Sequence, residues 1–354
     1  MIRTALVVGS GLLGASVGLG LRRQGVEVYL DDLDEESLRV AVARGAGVRG
    51  RPQRDPDLVI VAVPPASAAS VISEVLGTYL TSTVSDVVST KAQLQRDVES
   101  LGADMSRFVP GHPLAGREVS GAAAATADLF ADRVWALTPT SASDPIRVAA
   151  VVAVVESLGA VAVVTTPEGH DRAVALTSHT PQVVSSLVAA GLDPLADPDV
   201  RLSGQGLRDV TRLAASAPAL WTEILTSNAE PVAEALDALI ERLAVVRDGL
   251  RAGDDGAARV RASLAAGAVG ARKVPGKHGT RPVEYAVVPV VIADAPGELG
   301  RLVAAASATG VNLEDIRIEH AAGRPTGLVE LSVRPESSAV LVSGLRDGGW
   351  ELRD

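Results

Sequence analysis

From residue 3 to about 166, short runs rich in Val, Ile and Ala alternate with stretches of helical length and periodicity. This alternation is the strongest constraint in the chain. Strands joined through helices run parallel, and a parallel sheet needs helices over both faces. The runs TALVVG (4–9), VEVYLD (26–31), DLVIVAVP (57–64), STVSDVV (82–88), RFVPGH (107–112) and RVWALTP (133–139) read as the strands. Helical patterns lie between them, for instance over 12–24 and 66–79. The expected class is α/β with a doubly wound sheet. Apolar residues make up 47% of the chain and aromatic ones 2%, so the core must be built from Val, Leu and Ala.

After VAVVTTP (161–167) the rhythm changes, and 168–270 reads as helical throughout. Thr166-Pro167 supplies an N-cap hydroxyl and a first-turn proline. PVAEALDALIERLAVV (231–246) is apolar on more than one side, which demands burial against a neighbour. An all-helical dimerisation layer is expected, with a homodimer as the assembly. RKVPGKHGTRP (272–282) has linker composition, and 284–354 returns to strands as a small βαββ-type α+β unit. The expected domains are 1–166, 167–271, a linker at 272–283, and 284–354.

The net charge is −10, which leaves no basic stripe for a nucleic acid. Cysteine is absent, which removes disulfides, thiolate nucleophiles and cysteine-rich zinc sites, and no metal site is expected. The N-terminus does not read as a signal peptide, and AAVVAVVESLGAVAVV (149–164) is too short and broken to span a bilayer. A cytoplasmic protein is expected.

VVGSGLLGAS (7–16) places Gly9, Gly11 and Gly14 in G-x-G-x-x-G spacing, directly after a strand and at the start of a helix. Gly9 serves a tight turn, Gly11 lets backbone approach a pyrophosphate, and Gly14 permits close helix–strand packing. Ser10, Leu12 and Leu13 complete the loop, and the helix N-terminus offers free N–H groups. Asp31-Asp32 ends the second strand, where a carboxylate accepts from ribose hydroxyls and repels a 2′-phosphate. NAD is therefore the expected cofactor in a Rossmann-type domain, with Asp32 chosen over Asp31 for the ribose.

Three further stretches carry candidate chemistry. SDVVSTK (85–91) places Ser89 and Lys91 at a strand end, where such sheets bind ligands, although Ser89 also fits a helix cap. GHPLAGREVSG (111–121) carries His112 at the next strand end. It reads either as turn punctuation before Pro113 or as a rigidly held imidazole able to move a proton. HDRAVALTSHTPQ (170–182) and GLRDVTRLAASAPALW (206–221) add His179, a kink at Pro181, and Arg208 and Arg212 four residues apart on one helix face.

Together, GSGLLGAS, DVVSTK, GHPLAGREVSG, HDRAVALTSHTPQ and LRDVTRLAASAPALW resemble, in order, the prephenate and arogenate dehydrogenases. DAPGELGRL (294–302) and GVNLEDIRI (310–318) resemble an ACT domain, a small module that often binds amino acids. The resemblance implies NAD-dependent oxidative decarboxylation of prephenate to 4-hydroxyphenylpyruvate in tyrosine biosynthesis, with arogenate as the alternative substrate. By the same resemblance, His112 takes the proton of the C4 hydroxyl and Ser89 hydrogen-bonds that hydroxyl. Arg212 holds the ring carboxylate, while His179, Arg208, Gln182 and Trp221 line the substrate. Arg117 and Glu118 are expected as a local ion pair or a link to the cofactor side. An aromatic amino acid is expected at Asp294, Pro296, Gly297 and Asn312. Two positions depart from the family pattern: Gln182 stands where a second histidine is common, and Val88 where glycine is usual. A β-hydroxyacid-type dehydrogenase fits the His112, Ser89 and Arg212 set poorly. A non-catalytic NAD-fold amino-acid sensor is the remaining alternative.

Overall fold

The structure is a computed structural model that describes residues 2–115, 121–274, 285–320 and 325–353. Two compact units divide the chain, Met1–Ala244 and Val245–Asp354.

The first unit is built on a six-stranded parallel sheet, β3-β2-β1-β4-β5-β6. Its strands are β1 (Thr4–Val8), β2 (Glu27–Asp31), β3 (Val48–Arg49), β4 (Leu58–Val61), β5 (Thr83–Asp86) and β6 (Phe108–Val109). Helices α1 (Leu12–Arg23), α2 (Glu35–Ala43), α3 (Pro65–Thr78), α4 (Ala92–Ser100) and α5 (Pro145–Ser157) belong to the same region. Side chains alternate along a strand, and here both faces are covered. Ala5 and Val7 of β1 join a core with Leu21, Leu38 and Val151, while Leu6 and Val8 join a second core with Ile72, Leu76 and Leu94. The doubly wound expectation holds, but the short edge strand β3 was not among the six runs anticipated, and RVWALTP (133–139), expected as a strand here, lies outside this sheet.

One expected strand divides. RFVPGH was anticipated as a single strand, but β6 stops at Val109 and β7 (Gly111–Pro113) lies in a separate three-stranded sheet. That sheet contains β8 (Val134–Leu137), antiparallel to β7, and β9 (Val161–Val164), parallel to β8. Pro110 lies at the step between the two sheets and has no N–H to donate to a ladder. Its carbonyl accepts from the Thr138 N–H at 2.9 Å. Gly111 and Pro113 are thus strand residues, not the turn expected around His112. A Cβ on Gly111 would lie 2.7 Å from Trp135 Nε1 and 2.9 Å from the Asp86 carbonyl oxygen, so the close crossing of β5 and β8 requires glycine.

Helices then follow: α6 (Pro167–Val174), α7 (Thr180–Ala190), α8 (Asp197–Val200), α9 (Gln205–Thr211), α10 (Pro218–Ser227), α11 (Ala229–Arg251) and α12 (Asp254–Ala271). Between α6 and α7 the backbone is π-helical over Ala175–His179. Pro181 cannot donate to the carbonyl four residues earlier, and a π-turn is one way to absorb the lost rung. The expected Pro181 kink takes this form. Most of the expected linker lies outside the described residues.

The C-terminal strands β10 (Ala286–Ala293), β11 (Asp315–His320), β12 (Thr326–Val333) and β13 (Glu351–Leu352) form an antiparallel sheet in the order β11-β12-β10-β13. Helices α13 (Glu298–Ala308) and α14 (Ser338–Asp347) complete a βαββαβ unit. It is one helix and one strand longer than the anticipated βαββ. Alternate β12 residues Val329, Leu331 and Val333 pack with Leu302 of α13 and Leu341 and Leu345 of α14.

Candidate active site

The glycine loop follows β1 and opens α1. Gly9 has φ +96°, and a Cβ there would lie 2.3 Å from the Ala62 carbonyl oxygen. A Cβ on Gly14 would lie 1.9 Å from the Gly9 carbonyl oxygen. By contrast, a Cβ on Gly11 would meet nothing within 4 Å, so the space over the first turn of α1 is open. Gly11 is the N-cap of α1 and makes no side-chain capping bond, which leaves the turn's N–H groups available to an anion. Leu12 and Leu13 pack against the core below. The Asp32 carboxylate accepts from the Ser10 N–H and hydroxyl, the latter at 2.7 Å, and from the Asp34 N–H at 2.8 Å. Asp31 instead pairs with Arg51 at 2.6 Å. Of the two acids, Asp32 is the one turned to the glycine loop. An open glycine cradle, a helix N-terminus and a carboxylate at the end of β2 together fit a dinucleotide.

His112 sits partly buried on β7. Its Nδ1 lies 2.9 Å from Nε2 of His170, with the two rings edge to face. His170 Nδ1 lies 2.8 Å from Asp171 Oδ1. Asp171 also accepts from the Lys91 N–H at 2.9 Å and the Ala92 N–H at 2.8 Å, capping α4 from α6. Burial opposes the charged form of Asp171, yet the hydrogen bonds from His170 and the two N–H groups outweigh it and hold the carboxyl below its usual range. Burial, helped by His170, Lys91 and His179, pushes the His112 imidazole well below its usual range. A neutral imidazole is one ready to accept a proton.

His179 is buried at the end of the π-segment. Its Nδ1 lies 3.1 Å from Asn228 Nδ2, which also donates to the Asp171 carbonyl at 2.9 Å. Trp221 of α10 stands edge-on to His179, with ring centroids 6.2 Å apart. Gln182 of α7 is buried, and its Nε2 donates to the Leu213 carbonyl at 2.9 Å.

Lys91 does not face the crevice as expected. Its side chain is fully buried, paired with Asp86, and donates to the Gly111 carbonyl at 2.7 Å. It braces β5 against β7 beneath His112. Arg208 and Arg212 do not share one uninterrupted helix either: α9 ends at Thr211 and Arg212 opens a 3₁₀ turn, with both side chains exposed.

A family model described as the nucleotide-binding domain of prephenate dehydrogenase matches residues 17–164, and the dimerization-domain model matches 166–260. The Streptomyces niveus protein described as "Probable prephenate dehydrogenase NovF" is 37% identical over 359 residues, covering 99% of each chain. This chain belongs to the prephenate dehydrogenase family. Among solved structures, the Aquifex aeolicus prephenate dehydrogenase in complex with hydroxyphenyl propionate and NAD+ is similar, with a TM-score of 0.68 and 28% identity over 77% of this chain and 99% of that one. The Synechocystis arogenate dehydrogenase gives 0.67 and 26% over 77% and 99%.

Within this prephenate dehydrogenase family member, Ser89 lies partly exposed in the loop between β5 and α4, and Val88 beside it is buried in the core. Arg117 and Glu118 lie outside the described residues. In the C-terminal unit, Asp294, Pro296 and Gly297 occupy the loop between β10 and α13. Gly297 is left-handed at φ +92°, and Asn312 donates to Glu314 at 3.0 Å. His170, Asp171, Asn228 and Asp86 join the site without having been expected from the sequence. The adjacent His-Asp pair, just after a Thr-Pro helix start, was the signal for the first two.

No helix among the described residues is long and apolar enough to cross a membrane. No group of three or more His, Cys, Asp or Glu among them could hold a metal ion.

Proposed function

We propose that this chain catalyses the NAD+-dependent oxidative decarboxylation of prephenate to 4-hydroxyphenylpyruvate. The observation that carries the reading is His112, an imidazole kept neutral in its pocket and backed by His170 and Asp171. Gly9, Ser10, Gly11, Leu12, Leu13 and Gly14 hold the cofactor's pyrophosphate at the start of α1, and Asp32 takes the ribose hydroxyls. NAD+ bound there supplies the oxidant for the ring. His112 accepts the C4 hydroxyl proton, and Ser89 hydrogen-bonds the same hydroxyl. Arg212, supported by Arg208, holds the ring carboxylate, which leaves as carbon dioxide as the ring becomes aromatic. His179, Trp221 and Gln182 surround the side chain. Arginine at the carboxylate fixes orientation as well as charge, because its fork matches two oxygens.

Arogenate is the second reading, favoured by the likeness to the Synechocystis arogenate dehydrogenase, while the Gln182 amide could serve either substrate. NADH formation with each substrate, for wild type and His112→Asn, tests both. The expected result is turnover with prephenate in wild type and its loss in the variant. No NADH from either substrate overturns the reading.

The helical region is proposed to dimerise through exposed apolar side chains such as Leu220, Ile240 and Leu243, which sedimentation tests. Residues 284–354 are proposed as an ACT-like unit that binds an aromatic amino acid at Asp294, Pro296, Gly297 and Asn312. Calorimetry with tyrosine, phenylalanine and tryptophan tests this, and no heat with any of them refutes it. The domain limits 1–166, 167–271 and 284–354 and a cytoplasmic location belong to the same proposal.

A further inference from the structure

We propose that His170 and Asp171 are positioning residues that fix His112 as its Nδ1–H tautomer, leaving Nε2 bare to take the substrate's proton. The inference rests on the dehydrogenase reading and adds two residues to it.

Asp171 receives two backbone N–H groups, from Lys91 at 2.9 Å and Ala92 at 2.8 Å. A carboxylate so held is an anion with no hydrogen to give. The hydrogen in the 2.8 Å contact between His170 Nδ1 and Asp171 Oδ1 therefore sits on His170. With that one hydrogen on its ring, His170 has a bare Nε2. The hydrogen in the 2.9 Å contact with His112 must come from His112 Nδ1. One nitrogen of His112 remains, Nε2, and it carries the lone pair. The hydrogen bond at one ring nitrogen sets the state of the other.

The same chain serves the protonated state. When Nε2 takes the hydroxyl proton, His112 becomes a cation whose Nδ1–H still points at His170 Nε2. Passing that Nδ1 proton to His170 places the charge directly beside the Asp171 carboxylate. One proton enters at His112 Nε2, one moves between rings, and no electrons change hands. The other groups facing His112 act against protonation: Lys91, itself paired with Asp86, and His179, held by Asn228. Asp171 is the carboxylate in this cluster not neutralised by Lys91. A merely structural role, tying α6 to β7 and capping α4, would leave the tautomer and the chemical step untouched.

The chain has five histidines, so imidazole nitrogen NMR on the full-length, ¹⁵N-histidine-labelled protein can be assigned with His112→Asn as the reference. The expected result is His112 protonated at Nδ1 near neutral pH. With prephenate, His170→Ala is expected to lower kcat about 10²-fold with KM within about threefold. His170→Gln, whose amide can accept from His112 and donate to Asp171, is expected to recover roughly tenfold of that loss and to keep the tautomer. His112 protonated at Nε2 in the wild-type protein overturns the inference, as does a His170→Ala variant that turns over at the wild-type rate. If His170→Ala fails to fold, the wild-type tautomer decides alone. If wild type makes no NADH from either substrate, the dehydrogenase reading falls, and the NMR still decides the tautomer.

Discussion

Gln182 Nε2 donates to the Leu213 carbonyl at 2.9 Å, tying the first turn of α7 to the 3₁₀ turn that Arg212 opens. The bond is local to neither element, with 31 residues between its ends. It sets where the turn, and with it Arg212, stands relative to His179 three residues before Gln182.

Gln182→Leu should therefore act through Arg212. A buried neutral hydrogen bond contributes about 1 kcal/mol, so KM for prephenate should rise roughly fivefold while kcat stays near wild type. A drop in kcat with unchanged KM would show that Gln182 acts on the chemical step instead. Gln182→His, which restores the residue common in the family, should shift the prephenate-to-arogenate ratio of kcat/KM if this position reads the side chain.

Gly11 and Gly14 of the loop should separate cleanly. Gly11→Ala adds a methyl to open space, so the thermal midpoint should hold while NAD+ affinity falls at least about tenfold, because the methyl occupies the pyrophosphate's approach. Gly14→Ala puts a methyl 1.9 Å from the Gly9 carbonyl oxygen and should destabilise the fold itself, by roughly 1–3 kcal/mol. Calorimetry with NAD+ beside thermal unfolding checks both. Equal effects of the two substitutions on stability would refute the assignment.

These glycines were legible in the sequence because their demands are local: a turn, a close approach, a helix packed on its own strand. The alternating strands were legible for the same reason, since Ala5, Leu6, Val7 and Val8 are all apolar only where both faces are covered. The inward course of Lys91 is not legible in the sequence, because nothing adjacent reveals it. Its partners are Asp86, across a loop, and the Gly111 carbonyl, 20 residues on. The His112–His170 contact joins residues 58 apart in separate sequence blocks, and no periodicity reports such a meeting. Pro110 could have signalled the split of one strand into two sheets, since it has no N–H for a central ladder.

Stability should fall on the acid side of neutrality. Burial is the largest cause of the lowered affinity for protons at both His112 and His179. In the unfolded chain histidine titrates near pH 6.5. Between that value and the lower folded values the unfolded state holds more protons, so stability rises with pH across this window. It is fully present above about pH 6.5 and is lost as pH falls. The thermal midpoint should be level from about pH 8 to pH 7 and drop below about pH 6.5, less steeply in His112→Gln. The acid limb of kcat/KM, which reports the free enzyme, should likewise lie below about pH 6.5. A limb above pH 7 would sink the assignment of His112 as a base kept neutral by its pocket.

The Asp86–Lys91 pair beneath His112 gives a test that joins stability to catalysis. Both side chains are fully buried, and burial pushes the Asp86 carboxyl up and the Lys91 ammonium down. Removing one partner leaves a buried group without its counter-charge, which typically costs about 3–5 kcal/mol. Lys91→Met should lower the urea midpoint accordingly at an unchanged denaturant slope. Lys91→Met with Asp86→Asn should recover part of the loss, since the amide oxygen can still accept from the Val88 N–H, a 2.8 Å contact for Asp86 in this structure. Lys91 is also one of the charges that disfavour protonation of His112. Its removal should move the acid limb of kcat/KM to higher pH. A Lys91→Met variant as stable as wild type, or one whose acid limb moves to lower pH, would show that this pair neither braces β5 against β7 nor acts on the imidazole above it.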